Sequence, residues 1–165
     1  MRSQLVKIVL LFILATWFVL AKASGTVAAL EPSPDTLMEQ GLQAYQRGSF
    51  DQALAAWKQA AQLYEHQGKV KEQSQALVQA AQASESLGQV SQALQQLELA
   101  LTLAQQTGDR ARITAGMESL GRTYLAARKP DASVQYLTQA LGMAQASEDR
   151  RLIAAIHNDL GIAHV

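Results

Sequence analysis

The chain has 165 residues, with 14 basic and 14 acidic side chains and no cysteine. The absence of cysteine excludes disulfide bonds, a thiolate metal site and a lipid-modified cysteine at a processed N terminus. The length suits one domain, and the scarcity of glycine and proline outside short breaks favours helix.

The first 23 residues have the pattern of a cleaved secretory signal peptide. Residues 1–7 carry two cations, residues 8–20 form an apolar stretch, and residues 21–23 read Ala-Lys-Ala. A thirteen-residue helix rises only about 20 Å, less than the roughly 30 Å hydrocarbon core of a membrane. We therefore expect cleavage after Ala23, and a secreted or periplasmic protein that contacts a membrane only if this segment is retained.

The charge that remains after cleavage bears on the class of partner. Removal of Arg2, Lys7 and Lys22 from the 14 cations leaves 11 against 14 anions, a net charge of about −3. A slightly acidic chain is a poor match for a polyanion, so no nucleic acid partner is expected.

Residues 24–34 read as an extended leader before the folded part of the chain. They are rich in small residues and include two prolines, of which Pro34 suits the first position of a helix. Ser33 immediately before it is a candidate N-cap.

From residue 35 onward the chain repeats with a period of 40 residues. The recurring positions are Gly48, Gly88 and Arg128 in breaks, Trp57, Leu97 and Leu137 as bulky residues, and Ala60, Ala100 and Ala140 as small residues. A fixed period in this range is typical of a solenoid, in which each helix pair stacks on the next. The units are predicted at about 35–69, 70–109 and 110–149, with a partial unit at 150–165.

Six short breaks divide this region into seven predicted helices and no sheet. They lie near residues 48, 68, 88, 108, 130 and 148, and the apolar residues between them have helical spacing. Ser49 with Gln52 predicts a capping box, and Pro130 suits a first helical position. Asp109 and Asp149 lie at helix starts, where the helix dipole favours acids.

Residues 120–124, Leu-Gly-Arg-Thr-Tyr, resemble the L-G-x-x-Y motif of the tetratricopeptide repeat, and residues 48–53 are similar to its turn and second-helix start. The resemblance covers residues 35–165, although the second unit has Ala80, Ala81 and Ser84 in place of the motif. The 40-residue unit is longer than the usual 34 and looks like the kinesin-light-chain type. The resemblance implies an all-α, right-handed solenoid of antiparallel helix pairs, with about three and a half repeats.

The resemblance also implies a concave face that binds a protein or peptide. The residues carried over to that face are Met38, Leu42, Tyr45, Val78, Gln79, Gln82, Glu85, Glu118, Ser119, Arg122, Leu125, Asn158 and Ile162. Some family members clamp a C-terminal carboxylate with lysine and asparagine, and here Met38 and Leu42 occupy the first two places of that clamp. The expected function is an exported interaction scaffold with no catalysis of its own.

The residues offer little support for catalysis or for a cofactor. His66, His157 and His164 are the only histidines, and no close pair of metal ligands accompanies them. His157 falls at a packing position of the repeat, so a packing role is predicted for it. No catalytic residue, metal or cofactor is therefore expected.

The fourth unit stops at Val165, before a second helix, and its last residues are mostly apolar. Since solenoids ordinarily end with a polar capping helix, we expect either an unusual cap or, preferably, a truncated longer protein.

Residues 108–115 are similar to the joints of exported bacterial proteins that carry a CHAT-type caspase-like domain. The alternative function is thus the recognition part of such a protease, and a third possibility is self-association through the apolar last helix.

Overall fold

The computed structural model describes residues 32–163 as seven α-helices joined by turns of two or three residues. The helices are α1 (Pro34–Gln46), α2 (Phe50–His66), α3 (Val70–Ser86), α4 (Val90–Thr107), α5 (Arg110–Ala126), α6 (Pro130–Ala146) and α7 (Arg150–Ala163). No strand occurs in this range, which confirms the all-α prediction. The predicted signal peptide, most of the leader, His164 and Val165 lie outside the described residues.

The helices form a linear stack in chain order. Each one packs against the next, and α5 also contacts α7. The buried apolar clusters move along the chain in the same way, from one around Leu37 and Ala76 to one around Leu137 and Ile156. This is the repeat architecture that the 40-residue period predicts, with α1, α3, α5 and α7 as the first helices of the units and α2, α4 and α6 as the second helices.

In the first three units, a small residue of the first helix lies beneath a bulky residue of the second helix, sixteen positions later. The pairs are Gly41 with Trp57, Ala81 with Leu97, and Gly121 with Leu137. A Cβ atom added to Gly41 would lie 2.6 Å from Cδ1 of Trp57, and one added to Gly121 would lie 2.7 Å from Cδ2 of Leu137. Both distances are far below van der Waals contact, so the two glycines set how closely the helices approach.

We expect Gly121→Ala to lower the free energy of unfolding by about 1–3 kcal/mol, because the added methyl group overpacks the contact with Leu137. The matched control is Gly142→Ala in α6, where an added Cβ meets nothing within 4 Å. The control should raise stability by up to about 1 kcal/mol, since alanine is the better helix former. Urea unfolding followed by circular dichroism measures both, and equal effects would contradict the packing account.

The turns between helices require a backbone conformation that favours glycine. Gly48, Gly68, Gly88 and Gly108 have φ between 65° and 77°. The two equivalent turns that flank α6 have Arg128 and Glu148 instead, at φ 56° and 55°. A side chain in this left-handed region costs about 1–2 kcal/mol, so backbone strain is concentrated at both ends of α6.

Replacement of Arg128 by glycine should relieve that strain and stabilise the protein by about 0.5–1 kcal/mol, after allowance for the greater freedom of glycine in the unfolded chain. Arg128→Ala is the control, since it removes the same charge but keeps the Cβ atom. Thermal unfolding of the two variants should separate them, with only Arg128→Gly above the parent. A gain in Arg128→Ala of the same size would assign the effect to charge.

Several predicted helix starts are confirmed. The Ser33 hydroxyl accepts a hydrogen bond from the backbone N–H of Thr36 at 3.1 Å, and Pro34 and Pro130 are the first residues of their helices. Asp109 and Asp149 do more than complement the helix dipole. Each carboxylate accepts a hydrogen bond from the backbone N–H three residues later, at 3.1 and 3.0 Å, and so caps its helix.

The predicted capping box at Ser49 and Gln52 is wrong. The Ser49 side chain makes no cap hydrogen bond, and its backbone has φ −85° and ψ 68°, outside the extended region of an N-cap. In a capping box the side chain of the residue three positions after the cap, here Gln52, would accept a hydrogen bond from the backbone N–H of the cap residue. That N–H already donates to the carbonyl of Ala44 at 2.9 Å, because the three-residue turn closes the preceding helix.

A polar contact, in addition to packing, joins α1 to α2. The Tyr64 hydroxyl at the end of α2 donates to Oδ1 of Asp35 in α1 at 2.5 Å. Burial, followed by this bond, raises the pKa of Tyr64 to about 12. The hydroxyl therefore keeps its proton, and the contact persists, at neutral pH.

Within residues 32–163, no helix is long and apolar enough to cross a membrane.

Candidate protein-interaction face

The predicted binding residues lie on the first helices of the four units. Met38, Leu42 and Tyr45 are on α1, Gln79, Gln82 and Glu85 on α3, Glu118 and Arg122 on α5, and Asn158 on α7. Residues 40 positions apart occupy equivalent turns, as Gln82 and Arg122 do. We call the side of the first helices that carries these nine residues the first-helix face.

The nine residues differ in how much of each side chain is accessible. Leu42, Gln82, Arg122 and Asn158 are exposed, and the other five are half-buried. Of the further residues carried over from the resemblance, Val78, Ser119 and Leu125 are half-buried and Ile162 is exposed. The accessible surface therefore has an apolar side chain at each end, Leu42 and Ile162, with polar side chains between them.

Met38 and Tyr45 contribute to packing as well as to the surface. The Met38 side chain packs against the buried clusters of the first unit, and its backbone carbonyl accepts a hydrogen bond from Nε1 of Trp57 at 3.2 Å. The Tyr45 ring lies beside Phe50 and Trp57, with centroid distances of 5.1 and 5.6 Å. Both side chains are half-buried, so only part of each remains accessible.

Hydrogen bonds and ion pairs link neighbouring first helices across this face. The Tyr45 hydroxyl lies 3.2 Å from the hydroxyl of Ser86, joining α1 to α3. Between α3 and α5, the Glu85 carboxylate lies 3.5 Å from Nη2 of Arg122 and accepts a hydrogen bond from the hydroxyl of Thr123. The structure thus brings together Glu85 and Arg122, which are predicted from the sequence, with the hydroxyl of Thr123, which is not.

Arg122 also pairs with Glu118, one turn earlier on α5, at 3.5 Å between Nη1 and Oε1. The Glu118 side chain is only 12% exposed. Burial raises the pKa of its carboxyl group, the charge of Arg122 opposes this shift, and the nearby Asp159 of α7 adds to it. One exposed guanidinium therefore balances carboxylates from two helices, while Glu118 and Asp159 make the side toward α7 acidic.

Asp159 and Thr123 are the members of this arrangement that sequence reasoning missed. Thr123 is buried at the position where the second unit has the buried Ala83, and Asp159 is buried where the earlier units have Gln79 and Ser119. The sequence does show a change of residue type at both positions when equivalent positions of the repeat are compared. It was not decisive, because burial of these two positions depends on the neighbouring helix.

A groove of about 810 Å³ lies between α5, the end of α6 and the start of α7. Its apolar lining includes Ala111, Ala115, Met143, Leu152 and Ala155, and its charged lining is Arg110, Glu118, Asp149 and Arg151. A smaller recess of about 160 Å³ lies between α3 and α5. An apolar lining with charges of both signs suits a peptide segment with mixed side chains.

The histidines do not form a site in the described part of the chain. His66 and His157 are exposed, and no group of three His, Cys, Asp or Glu side chains in residues 32–163 is arranged to hold a metal ion. The packing role predicted for His157 is wrong. Its equivalent in the third unit, Met117, is half-buried against the clusters next to α6, whereas no described helix covers His157.

Two tetratricopeptide-repeat models match the chain, one at residues 74–107 and one at residues 117–151. The first match includes the unit in which Ala80, Ala81 and Ser84 depart from the motif. The matched segments coincide with the pairs α3–α4 and α5–α6, whose geometry agrees with stacked helix pairs. Residues 74–107 and 117–151 are therefore tetratricopeptide repeats.

Solved structures with the same fold cover most of the chain. BtubC (BKLC) from P. vanneervenii superposes with a TM-score of 0.69 at 18% identity, over 79% of this chain and 54% of that protein. Nearly identical TPR-like repeats attributed to a kinesin light chain of Podosopora anserina give 0.68 at 17% identity, over 88% and 72% of the two chains. The N-terminal domain of stress-induced protein-1 (STI-1) from C. elegans gives 0.62 at 16% identity, over 76% and 93%.

At these identities the similarity shows the fold alone. The chain spans about half the length of the BtubC protein that it matches. No curated protein matches the sequence at a significant level. The expected likeness to kinesin-light-chain repeats agrees with the structures above, whereas the similarity to CHAT-type proteins stays a prediction.

Proposed function

We propose that this protein is an exported scaffold that holds a peptide or helix of a partner protein along the first-helix face, with no catalysis of its own. Tetratricopeptide repeats typically bind proteins or peptides. The observation that carries the proposal is the position of Arg122, which is exposed between the carboxylates of Glu85 and Glu118. Glu118 in turn lines the groove of about 810 Å³.

Arg122 is suited to binding a partner because its guanidinium has more N–H donors than its two ion pairs use. The group has five N–H donors in a planar fork, and two carboxylates hold it at 3.5 Å without enclosing it. The side chain is 45% exposed, so a partner carbonyl or carboxylate can reach it. Gln82 lies at the equivalent position on α3 and offers an uncharged donor and acceptor in line with it.

These ion pairs contribute little to stability and more to orientation. Exposed salt bridges are typically worth less than about 1 kcal/mol, because water screens them. The contacts to Glu85 and Glu118 instead restrict the Arg122 side chain before a partner arrives, which reduces the entropy lost on binding. A partner with an acidic or carbonyl group opposite Arg122 and small apolar side chains for the groove fits this arrangement.

The proposal predicts that charge reversal on the first-helix face abolishes capture of a partner. Purified chain is used to capture ligands from a periplasmic extract, and the affinity of the captured ligand is then measured by titration. Arg122→Glu and Gln82→Glu should each weaken binding by about tenfold or more, equal to at least 1.4 kcal/mol.

The matched controls are Lys58→Glu and Gln62→Glu, which make the same changes of charge at exposed positions of α2. Both should bind as the parent does, and circular dichroism should show that all four variants remain folded. Saturable binding that Arg122→Glu leaves unchanged would contradict the assignment to this face. Equal losses in all four variants would contradict it as well.

Export is part of the proposal and is supported by the pattern of residues 1–23. On expression in a bacterium with two membranes, the product should be found in the periplasm with Ser24 as its first residue, as measured by fractionation and mass spectrometry. Replacement of Ala21 and Ala23 by phenylalanine should block cleavage, because the peptidase requires small residues there. An unprocessed parent chain in the cytosol would rule out export by this route.

The second candidate function is the recognition part of a CHAT-type protease, and its support is the joint at residues 108–115. Asp109 caps α5 in this joint and forms an ion pair with Arg112, so helix initiation accounts for both residues. The exported scaffold is therefore preferred. The DNA downstream of Val165 discriminates between the two, since the protease requires an open frame encoding a domain with Cys and His.

A further inference from the structure

A cleft of about 410 Å³ lies between the second helices α4 and α6, with α5 beneath them. Its base consists of apolar residues that are buried or half-buried, namely Leu101, Met117 and Leu120. Its walls consist of more accessible polar residues, namely Glu98, Thr102, Gln105, Gln135, Tyr136 and Gln139. Each of the three helices packs against the helix before it and the helix after it in the stack, so the cleft is internal to the array.

Two positions beside the cleft change residue type between the second and the third unit. In the second unit the hydroxyl of Ser84 donates to Oε1 of Gln96 at 2.9 Å, and both side chains are buried. The residues 40 positions later are Tyr124 and Tyr136, whose rings stack with a centroid distance of 5.5 Å and an interplanar angle of 11°. Both tyrosines are half-buried. One wall of the cleft is therefore aromatic where the second unit has a buried amide.

The cleft contains one carboxylate whose charge is not balanced. The Tyr124 hydroxyl donates to Oε1 of Glu98 at 3.0 Å, and burial, followed by this bond, raises the pKa of Tyr124. The hydroxyl therefore stays a donor at neutral pH and holds the Glu98 side chain in place. The lining includes no other charged residue, and among residues 32–163 no cation forms an ion pair with Glu98.

We propose that this cleft binds an arginine side chain of a partner polypeptide, with the guanidinium at Glu98 and the aliphatic part on the apolar base. A guanidinium is planar, so it pairs with a carboxylate and also lies against an aromatic ring such as that of Tyr136. Its remaining N–H donors match the side-chain oxygens of the three glutamines in the walls. Arginine is favoured over lysine because an ammonium group is a compact charge that has no flat surface for the ring.

The equivalent place one unit earlier lacks these groups. Lys58 of α2 lies 40 positions before Glu98, and Gln96 lies 40 positions before Tyr136. The repeat architecture alone therefore does not provide the carboxylate or the ring. The inference does not rest on the proposed function of the first-helix face, since the cleft shares no residue with the nine that define that face.

The test uses N-acetyl-arginine methylamide as the probe, titrated into the ¹⁵N-labelled full chain and followed by NMR. The side-chain amide signals of Gln105, Gln135 and Gln139 should shift and saturate, with a dissociation constant of roughly 1–10 mM. The matched control ligand is the citrulline derivative, which has nearly the same shape without the charge and should cause no saturable shift. The lysine derivative should bind at least about threefold more weakly than the arginine derivative.

Two substitutions test the role of the carboxylate. Glu98→Gln keeps the shape and can still accept the Tyr124 hydrogen bond, yet it should weaken binding by about tenfold or more. Glu98→Lys introduces the residue of the first unit and should abolish binding. The matched control is Glu65→Gln, the same change at another exposed position of a second helix, which should bind as the parent does. Arg122→Glu should also bind as the parent does, which separates this test from that of the first-helix face.

Four results would overturn the proposal. The first is no saturable shift at roughly 50 mM probe, and the second is binding that Glu98→Gln leaves unchanged. The third is equal binding of the citrulline or the lysine derivative, which would remove the basis for a guanidinium. The fourth is equal affinity for the free guanidinium ion, because the cleft would then bind a small cation and make no use of the aliphatic part of a side chain.

Discussion

The contact between a small residue of one helix and a bulky residue of the next determines most of this structure. Gly41 beneath Trp57 and Gly121 beneath Leu137 allow approaches that no side chain would permit. Ala81 with Leu97 shows that the second unit tolerates one methyl group at the same place. Since the pairs recur every 40 residues, the same local geometry is repeated and a linear stack results.

The first-helix face is a consequence of that stack. Once the pairs are stacked, the first helices are neighbours, and polar residues on successive units come within reach of one another. Glu85 and Arg122 therefore meet although they are 37 positions apart, and Thr123 adds a hydroxyl to the same carboxylate. The first-helix face is thus produced by the spacing of the repeats, while its chemistry is set by the few exposed residues.

The described helices after α5 depart from this regularity in two ways. Arg128 and Glu148 adopt the left-handed conformation that glycine provides in the other turns, so strain flanks α6. At the far side of that helix, α7 buries only Ile156 and Asp159, fewer residues than any other first helix. Among the three complete units of the described region, the second buries the most side chains.

The sequence by itself determined the period, the helix ends and the small and bulky positions, because these depend on short-range propensities and on spacing along one chain. Tertiary structure decided the rest. Ser49 cannot form a capping box because its backbone N–H already donates to the carbonyl of Ala44. His157 is exposed because no described helix covers it. Likewise the burial of Asp159 near Glu118 depends on the packing of α7 against α5, a distance between helices that no local pattern encodes.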